Sequence, residues 1–182
     1  MSHDLIFDRK FFAELDDEDA RVAAAARAGG CPACAGRLDQ ANFPRKPRGG
    51  VTAVAGEAVC RRRSLCCARA GCRKRLTPPS LVFLGRRVYL AITVVTAAWR
   101  SATLAVAPPR RTVRRWLVWF ATRVPASRWF PPVRARLSPP FEAGEPLPGA
   151  LVERLLPGRS VVGALVATLR LMAPLSTPTG AA

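Results

Sequence analysis

The chain has 182 residues, 49% of them hydrophobic, and a net charge of +17, which suits one domain or two small ones. Its first twenty residues carry seven acids and two bases, the opposite of the basic start of a secretory signal peptide, so a leader of that kind is not expected. The expected location is therefore cytoplasmic and reducing, where clustered cysteines favour metal binding over disulfides.

Residues 1–30 form the N-terminal segment, and a helical segment is predicted for residues 4–28. Apolar side chains recur there at helical spacing, and the alanine run 23–26 has strong helix propensity. The four acids at 16–19 indicate the start of a second helix, since carboxylates favour the N-terminal turn. Gly29 and the glycine after it end that helix directly before the first cysteine.

Residues 31–80 predict a small zinc ribbon, with little hydrophobic periodicity and much Gly, Pro and Arg. A C-x2-C pair and a C-x4-C pair, 33 residues apart, can place four thiolates around one zinc ion at about 2.3 Å. All four positions would be filled by protein, which predicts a structural Zn²⁺ site with no open catalytic position. The predicted ligands are Cys31, Cys34, Cys67 and Cys72.

Two further cysteines compete for these positions. Cys66 stands beside Cys67 and would change the second loop to C-x5-C, whereas Cys60 is expected on the strand before that loop. Knuckle spacing favours Cys67, and both other thiols are expected to be small buried groups. The only histidine, His3, lies far from the cluster, so a mixed Cys/His site is not expected.

The charge of the chain is concentrated after the first cysteine pair. Between Glu57 and Glu142, 84 residues contain 18 Arg or Lys and no acid, a pattern typical of contact with nucleic acid. Mutational bias explains why 26 of the 29 bases are Arg, but explains the missing acids less easily. Six of these bases flank the second cysteine pair and are predicted phosphate contacts: Arg61, Arg62, Arg63, Arg73, Lys74 and Arg75.

Further elements follow in order. A hinge is expected at 77–80 (T-P-P-S), then helices at 86–100 and 110–123. Residues 125–148, with seven prolines, predict a mostly irregular connection, and 149–173 predict two short apolar helices around Pro157 and Gly158. The expected units are then a DNA-binding region at 81–137 and a Pro-rich connection with C-terminal helices at 138–182.

The second of these helices has the design of a recognition helix. Its apolar stripe has i, i+3, i+4, i+7 spacing and consists of Val113, Trp116, Leu117 and Phe120. Its N-terminal turns carry the other predicted DNA contacts, Arg110, Arg111, Thr112, Arg114 and Arg115. The helix before it would be the scaffold, with Tyr89, Ile92 and Val95 facing inward. The alternative is an ordinary amphipathic helix with a solvated basic face.

Residues 88–107 also raise the alternative of a membrane anchor, because they are largely apolar and long enough to cross a bilayer. Arg100 falls near the centre of this span, where a charge costs roughly 2.5–3.5 kcal/mol on insertion scales. Trp99 is also central, where an interfacial residue is not expected. A membrane association is therefore not the expected outcome.

The motifs together resemble a known group of proteins. C-P-A-C, R-R-R-S-L-C-C-A-R-A-G-C-R-K-R-L-T-P-P-S, F-L-G-R-R-V-Y-L and R-R-T-V-R-R-W, in this order, resemble small zinc-ribbon/helix-turn-helix proteins of bacterial insertion sequences, encoded with or fused to transposases. The resemblance covers about residues 30–140. It implies zinc ligation by the four cysteines, a recognition helix beginning at 110–115 and a role in transposition. Such proteins usually have a full helix between the scaffold helix and the R-R-T turn, whereas this chain has only residues 101–106 there.

An enzyme is not expected. All six Asp lie at or before Asp39, and after Glu57 only three glutamates remain, so no acidic set for two divalent metals can be assembled. No phosphate-binding glycine motif is present, and no small-molecule substrate is predicted. The prediction is a mainly α protein with a small four-cysteine zinc-ribbon β-hairpin and a helix-turn-helix-like segment. It would bind double-stranded DNA as a nucleoid-associated accessory factor of a transposable element. The rival prediction is an interaction module that docks a partner transposase.

Overall fold

The structure is a computed structural model that describes residues 7–49, 51–85, 87–99, 108–142 and 144–177. Its first element is a long N-terminal helix. Helix α1 (Arg9–Ala28) begins at Asp8, whose carboxylate accepts the Phe11 N–H at 2.8 Å, and ends at Gly29. The predicted second helix start at 16–19 is wrong, because α1 runs through these acids without a break. The predicted helical residues 4–6 lie outside the described ranges.

Residues 31–80, called the ribbon below after the prediction for them, contain two small antiparallel sheets in their described part. Strands β1 (Leu38–Gln40), β4 (Leu65–Cys67) and β5 (Arg75–Leu76) form one sheet in the order β1-β4-β5, with Leu38 opposite Cys67 and Cys66 opposite Arg75. Strands β2 (Phe43–Pro44) and β3 (Arg61–Arg62) form the other. The Arg27 guanidinium of α1 donates to the Leu38 carbonyl at 3.0 Å, so α1 is fastened to the edge strand β1.

The chain between β2 and β3 contains helical structure that the sequence did not predict. Helix α2 (Val51–Ala55) leads into a 3-10 turn, Gly56–Cys60. Ala55 and Val59 are buried in the same apolar core as Phe12 of α1, and this burial explains the helical turns in a segment without clear periodicity. Cys60 therefore ends a turn and does not lie on a strand as predicted.

Five further helices form the rest of the main core. They are α3 (Ala91–Trp99), α4 (Arg110–Thr122), α5 (Phe130–Ala135), α6 (Gly149–Leu155) and α7 (Val161–Met172). Helix α3 is the central one and contacts α4, α6 and α7. The helix predicted at 110–123, the mostly irregular connection and the two C-terminal helices are confirmed. A 3-10 turn, Ala173–Ser176, follows α7.

Helix α3 is shorter than predicted. Phe83 and Leu90 form an antiparallel backbone bridge directly before it, and the helix begins only at Ala91. Within the described ranges no helix is long and apolar enough to cross a membrane. The end of the proposed span, residues 100–107, falls outside those ranges.

The predicted hinge at 77–80 is partly buried, at Pro78 and Ser80, and is held by hydrogen bonds. The Ser80 hydroxyl donates to the Asp19 carboxylate, and the Ser80 N–H donates to Ser176 Oγ at 2.9 Å. Leu81 N–H donates to Asp19 Oδ1 at 2.6 Å, and Arg62 Nη2 donates to the Pro78 carbonyl at 2.5 Å. The ribbon and the helices are therefore joined through a buried polar junction.

Candidate metal centre

The four predicted ligands lie together. Their Sγ atoms all fall within 4.8 Å of one another, with Cys31 and Cys72 at 3.7 Å and Cys34 and Cys67 at 3.5 Å. A zinc tetrathiolate with Zn–S bonds of about 2.3 Å has sulfur–sulfur edges of about 3.8 Å. These distances are much longer than a disulfide bond of about 2.05 Å, so the arrangement fits shared coordination of one ion.

The first pair of ligands is positioned by a tight turn directly after α1. The N–H groups of Cys34 and Ala35 both donate to the Cys31 carbonyl, at 3.3 and 2.8 Å, and Cys31 N–H donates to the Gly36 carbonyl at 2.9 Å. Ala35 has a φ of 54°, the left-handed conformation that such a turn requires. The turn thereby directs both sulfurs toward the second pair.

The second pair begins on β4 and ends in a loop. Cys67 N–H donates to the Lys74 carbonyl at 2.9 Å, while Cys72 and Arg73 N–H both donate to the Arg69 carbonyl, at 2.9 and 3.1 Å. Arg73 repeats the left-handed conformation of the first turn, with a φ of 45°. Two turns of similar construction therefore face each other across the cluster.

The structure brings Cys67, and not Cys66, into the cluster. Successive side chains of a strand point to opposite faces, so on β4 only one of the two can reach the other sulfurs. The Cys66 thiol instead contacts the carbonyl oxygens of Cys67 and Arg73, at 3.8 and 3.6 Å. Cys60 also lies apart, with its thiol 4.0 Å from the Gly56 carbonyl.

The thiols influence one another's ionisation. A hydrogen bond from the Gly36 N–H, helped by the neighbouring thiols, lowers the pKa of Cys34 to about 7. For Cys67 the Arg69 N–H acts in the same direction, but burial and the three other thiols outweigh it and raise its pKa to about 12. One thiolate is thus favoured and further ones are disfavoured, a condition that a bound cation relieves.

Gly36 is a site residue that sequence reasoning missed. A Cβ atom at this position would lie 3.2 Å from Cys67 Sγ and 3.3 Å from Cys34 Sγ, closer than ordinary contact. Glycine therefore lets the backbone pass beside two sulfurs while its N–H bonds to one of them. Its place two residues after the C-x2-C pair was the available signal.

The first basic triplet does not present the free surface that was predicted. Arg62 is only 2% exposed and bonds to Pro78 and Ser176, so its guanidinium does not reach the surface. Arg63 forms an ion pair with Asp16 at 2.8 Å. Arg61 is exposed but lines a shallow depression that also contains Asp16 and Glu57. Of the three, Arg62 is withdrawn into the core and Arg63 is neutralised by an acid of α1, so only Arg61 remains exposed.

The second basic triplet is on the surface. Arg73, Lys74 and Arg75 are all exposed, as is Arg69 in the same loop. None of the four forms an ion pair within the part of the chain that the structure describes. The loop between Cys67 and Cys72 and the three residues after it thus carry exposed charge that no acid of the described residues balances.

Helix α4 carries four exposed arginines. Arg110, Arg111, Arg114 and Arg115 are exposed and unpaired among the described residues, and Thr112 is half-buried. On the opposite face Trp116 and Phe120 are buried, and Trp116 meets Tyr89 edge-to-face with ring centroids 5.2 Å apart.

The structure supports part of the predicted helix pair. Tyr89, Ile92 and Val95 are buried, as predicted for the scaffold segment, but Leu117 of the predicted apolar stripe is 39% exposed. Helix α3 packs against α4. Residues 101–106, where a helix-turn-helix would complete its geometry, fall in the gap between the described ranges.

Comparisons with known proteins found no match from which a function could be inferred. The sequence matches no known protein family, and neither a curated protein nor a solved structure matches the chain. The four-cysteine cluster and the exposed basic residues are therefore the features from which a function is inferred.

Proposed function

We propose that this chain is a structural zinc protein that binds double-stranded DNA. The observation that carries the proposal is an all-cysteine cluster whose own ligand loop displays uncompensated basic side chains. Four thiolates in a tetrahedral arrangement favour zinc among the common divalent metals. With no position left open, the ion would stabilise structure and would not activate a substrate.

The metal would fix the geometry of the basic surface. Arg69 lies inside the loop between Cys67 and Cys72, and Arg73 to Arg75 follow the last ligand directly. Closing the loop on an ion holds these side chains at set spacings and reduces the entropy lost when they bind. The resulting surface suits phosphates, because guanidinium and ammonium groups make charge-assisted hydrogen bonds to them.

Helix α4 would add further contacts. Arg111 and Arg115 lie on the side of the helix turned away from buried Trp116 and Phe120. These arginines are therefore free to reach a phosphate or a guanine edge. A role beside a transposase is supported by the motif resemblance alone, whereas DNA binding is supported by exposure and charge.

The test is the salt dependence of binding to a labelled duplex. Contact with about six phosphates gives a slope of log affinity against log salt near −5. Replacing Arg73, Lys74 and Arg75 by Gln should reduce that slope by about 2.7, since each lost contact removes about 0.9. A matched triple variant with Arg9, Lys10 and Arg159 replaced by Gln removes the same charge elsewhere and should leave most of the slope.

Variants of the cluster connect this binding to the metal. Cys34→Ser should lose bound zinc and weaken duplex affinity, while Cys66→Ser, whose thiol lies outside the cluster, should retain both. Bound metal is measured by mass spectrometry of the desalted protein, and affinity by fluorescence anisotropy. Duplex affinity that does not change with salt would refute DNA binding, and full zinc content in Cys34→Ser would refute the site.

A further inference from the structure

A second surface feature lies among the helices. It is an open groove of about 550 Å³ between α4, α5 and the connection before α6. Its walls are largely apolar and include Leu117, Ala121, Phe130, Phe141, Pro146 and Leu147. Phe130 and Phe141 stack with ring centroids 5.8 Å apart and form a firm wall.

One stripe of α4 leads into this groove. Arg110, Arg114, Leu117 and Ala121 are spaced by four, three and four residues, so they share one side of the helix. The first two are exposed arginines and the last two line the groove. Charge and apolar surface are therefore aligned along a single helix face.

The charges around the groove favour an acidic occupant. Arg134 lines the groove, and Arg110 and Arg114 lie on the stripe of α4 that leads into it. All three are exposed and make no ion pair in the described part of the chain. Two acids also line the groove: Glu145 is paired with Arg154 at 2.5 Å, and Glu142 is exposed and forms no ion pair among the described residues. The three arginines therefore outnumber the single unpaired acid. Unbalanced positive charge thus adjoins exposed apolar surface.

We propose that this groove binds an acidic, amphipathic segment of a partner protein. Apolar side chains of the segment would fill the groove beside Leu117, and its carboxylates would pair with Arg110 and Arg114. The two arginines stand three and seven residues before Leu117, about 5–10 Å along the axis. A helical segment with acids one to two turns from its apolar anchors matches this spacing.

DNA is a poorer fit to the groove. A duplex offers phosphates to the arginines but has little apolar surface with which to cover Leu117, which is 39% exposed. The surface assigned above to DNA uses Arg111 and Arg115, which lie on a different side of α4. The groove proposal therefore does not rest on DNA binding and can fail or succeed separately.

A random 16-residue peptide library displayed on phage, selected on the zinc-loaded full chain, tests the proposal. The recovered peptides should combine Asp or Glu with Leu, Phe or Trp. In anisotropy titrations of the best labelled peptide, Leu117→Glu should weaken binding about tenfold or more. Val118→Glu is the matched control, because Val118 is 55% exposed on the outward side of the same helix, and it should leave affinity nearly unchanged.

The charge requirement has its own matched pair. Replacing Arg110 and Arg114 by Gln should weaken the peptide more than replacing Arg111 and Arg115, although both variants lose two charges. Circular dichroism confirms that each variant is folded. Recovery of no peptide, or equal effects of Leu117→Glu and Val118→Glu, overturns the proposal. Peptide that a 20-base-pair duplex displaces fully while Leu117→Glu has no effect overturns it as well, because the surface would then bind any polyanion.

Discussion

Arginine has three different environments in this protein, although the sequence presents its arginines as similar charge clusters. Arg62 is enclosed in the core, where burial lowers its pKa to about 10, and it still remains protonated at neutral pH. Arg63 is paired with an acid of α1, and Arg73 is exposed. Charge pattern predicted all three as phosphate contacts, because it cannot show which acids and carbonyls the fold brings near.

The cysteines were easier to predict than the arginines. Short spacing within each pair restricts which sulfurs can meet, so the ligand set followed from local sequence. Knuckle spacing favoured Cys67 over Cys66, and the structure confirms this choice. Its physical reason is that successive side chains on β4 point to opposite faces. Gly36 could not be found in this way, since its role depends on a sulfur 31 residues later in the chain.

Gly36→Ala should weaken zinc binding. The added Cβ would press on the sulfurs of Cys34 and Cys67, at 3.3 and 3.2 Å, and displace the first turn. Changes in the immediate surroundings of metal ligands cost about 10–100-fold in affinity, and about tenfold is expected here. Competition with a chromophoric chelator measures the loss. Gly71→Ala is the control, because a Cβ there meets nothing within 4 Å, and an equal loss in both variants would contradict the steric explanation.

At the scale of elements, we expect the ribbon to depend on the proposed zinc ion more than the helices do. Among the described residues its separate core has four buried members, Cys31, Leu38, Leu65 and Cys67. Leu38 and Cys67 lie opposite each other in the sheet. So small a core contributes little apolar burial. The helical core is much larger and includes α1, α3, α6 and α7.

Removing zinc should therefore loosen the ribbon selectively. Hydrogen exchange with a chelator present should accelerate on the order of tenfold or more in β1, β4 and β5, while α3 and α7 keep their protection. Mass spectrometry of peptides from the exchanged chain measures both regions at once. The control is a sample that contains the same chelator after it has been saturated with zinc, so that it cannot remove the metal from the protein. Equal acceleration in all elements, or none in the ribbon, would contradict this division.

Helices α1 and α7 are joined by an ion pair between distant parts of the chain. Glu18 accepts from the Arg170 guanidinium through both oxygens, each at 2.7 Å. This hydrogen bond, together with the charge of Arg170, outweighs burial and lowers the pKa of Glu18 below its ordinary value of 4.5. Because the folded-state pKa is lowered, the stabilisation is present above pH 4.5 and is lost as pH falls through the lowered value.

Glu18→Gln should consequently lower the free energy of unfolding at pH 6 by less than about 1 kcal/mol, since the pair is partly exposed. The difference from the native chain should shrink toward zero as the pH falls through the lowered pKa. Urea unfolding at several pH values measures both quantities. Glu14→Gln is the control, because Glu14 is exposed on the same helix without an ion pair in the described residues. A pH-independent difference would contradict the role of the carboxylate.

Hydrophobic periodicity predicted elements well where one face packs on a core. Helices α4, α6 and α7 followed from it, and α4 begins and ends within one residue of its predicted bounds. It did not reveal α2 and the turn after it, which are helical because Ala55 and Val59 meet α1. The composition T-P-P-S predicted a hinge at 77–80, whereas Pro78 and Ser80 of this segment are buried.

At the scale of the whole molecule, this buried junction unites parts that the sequence separates. Asp19 of α1 accepts hydrogen bonds from Ser80 and Leu81, while Arg62 of β3 reaches Pro78 and Ser176. Burial raises the pKa of Asp19, and these hydrogen bonds with the nearby charge of Arg62 oppose that rise. The N-terminal helix, the ribbon and the C-terminal turn therefore share one polar centre.

Asp19→Ala should destabilise the zinc-loaded chain by about 3–5 kcal/mol, the usual cost of breaking a buried charged network. The loss is large because Arg62 would keep its buried charge without Asp19 nearby, and the Ser80 hydroxyl and Leu81 N–H would lose their acceptor. Asp17→Ala removes an exposed acid from the same helix and should cost at most about 0.5 kcal/mol. Urea unfolding of both variants measures the difference, and comparable losses would mean that the junction at Ser80 does not hold the ribbon to the helices.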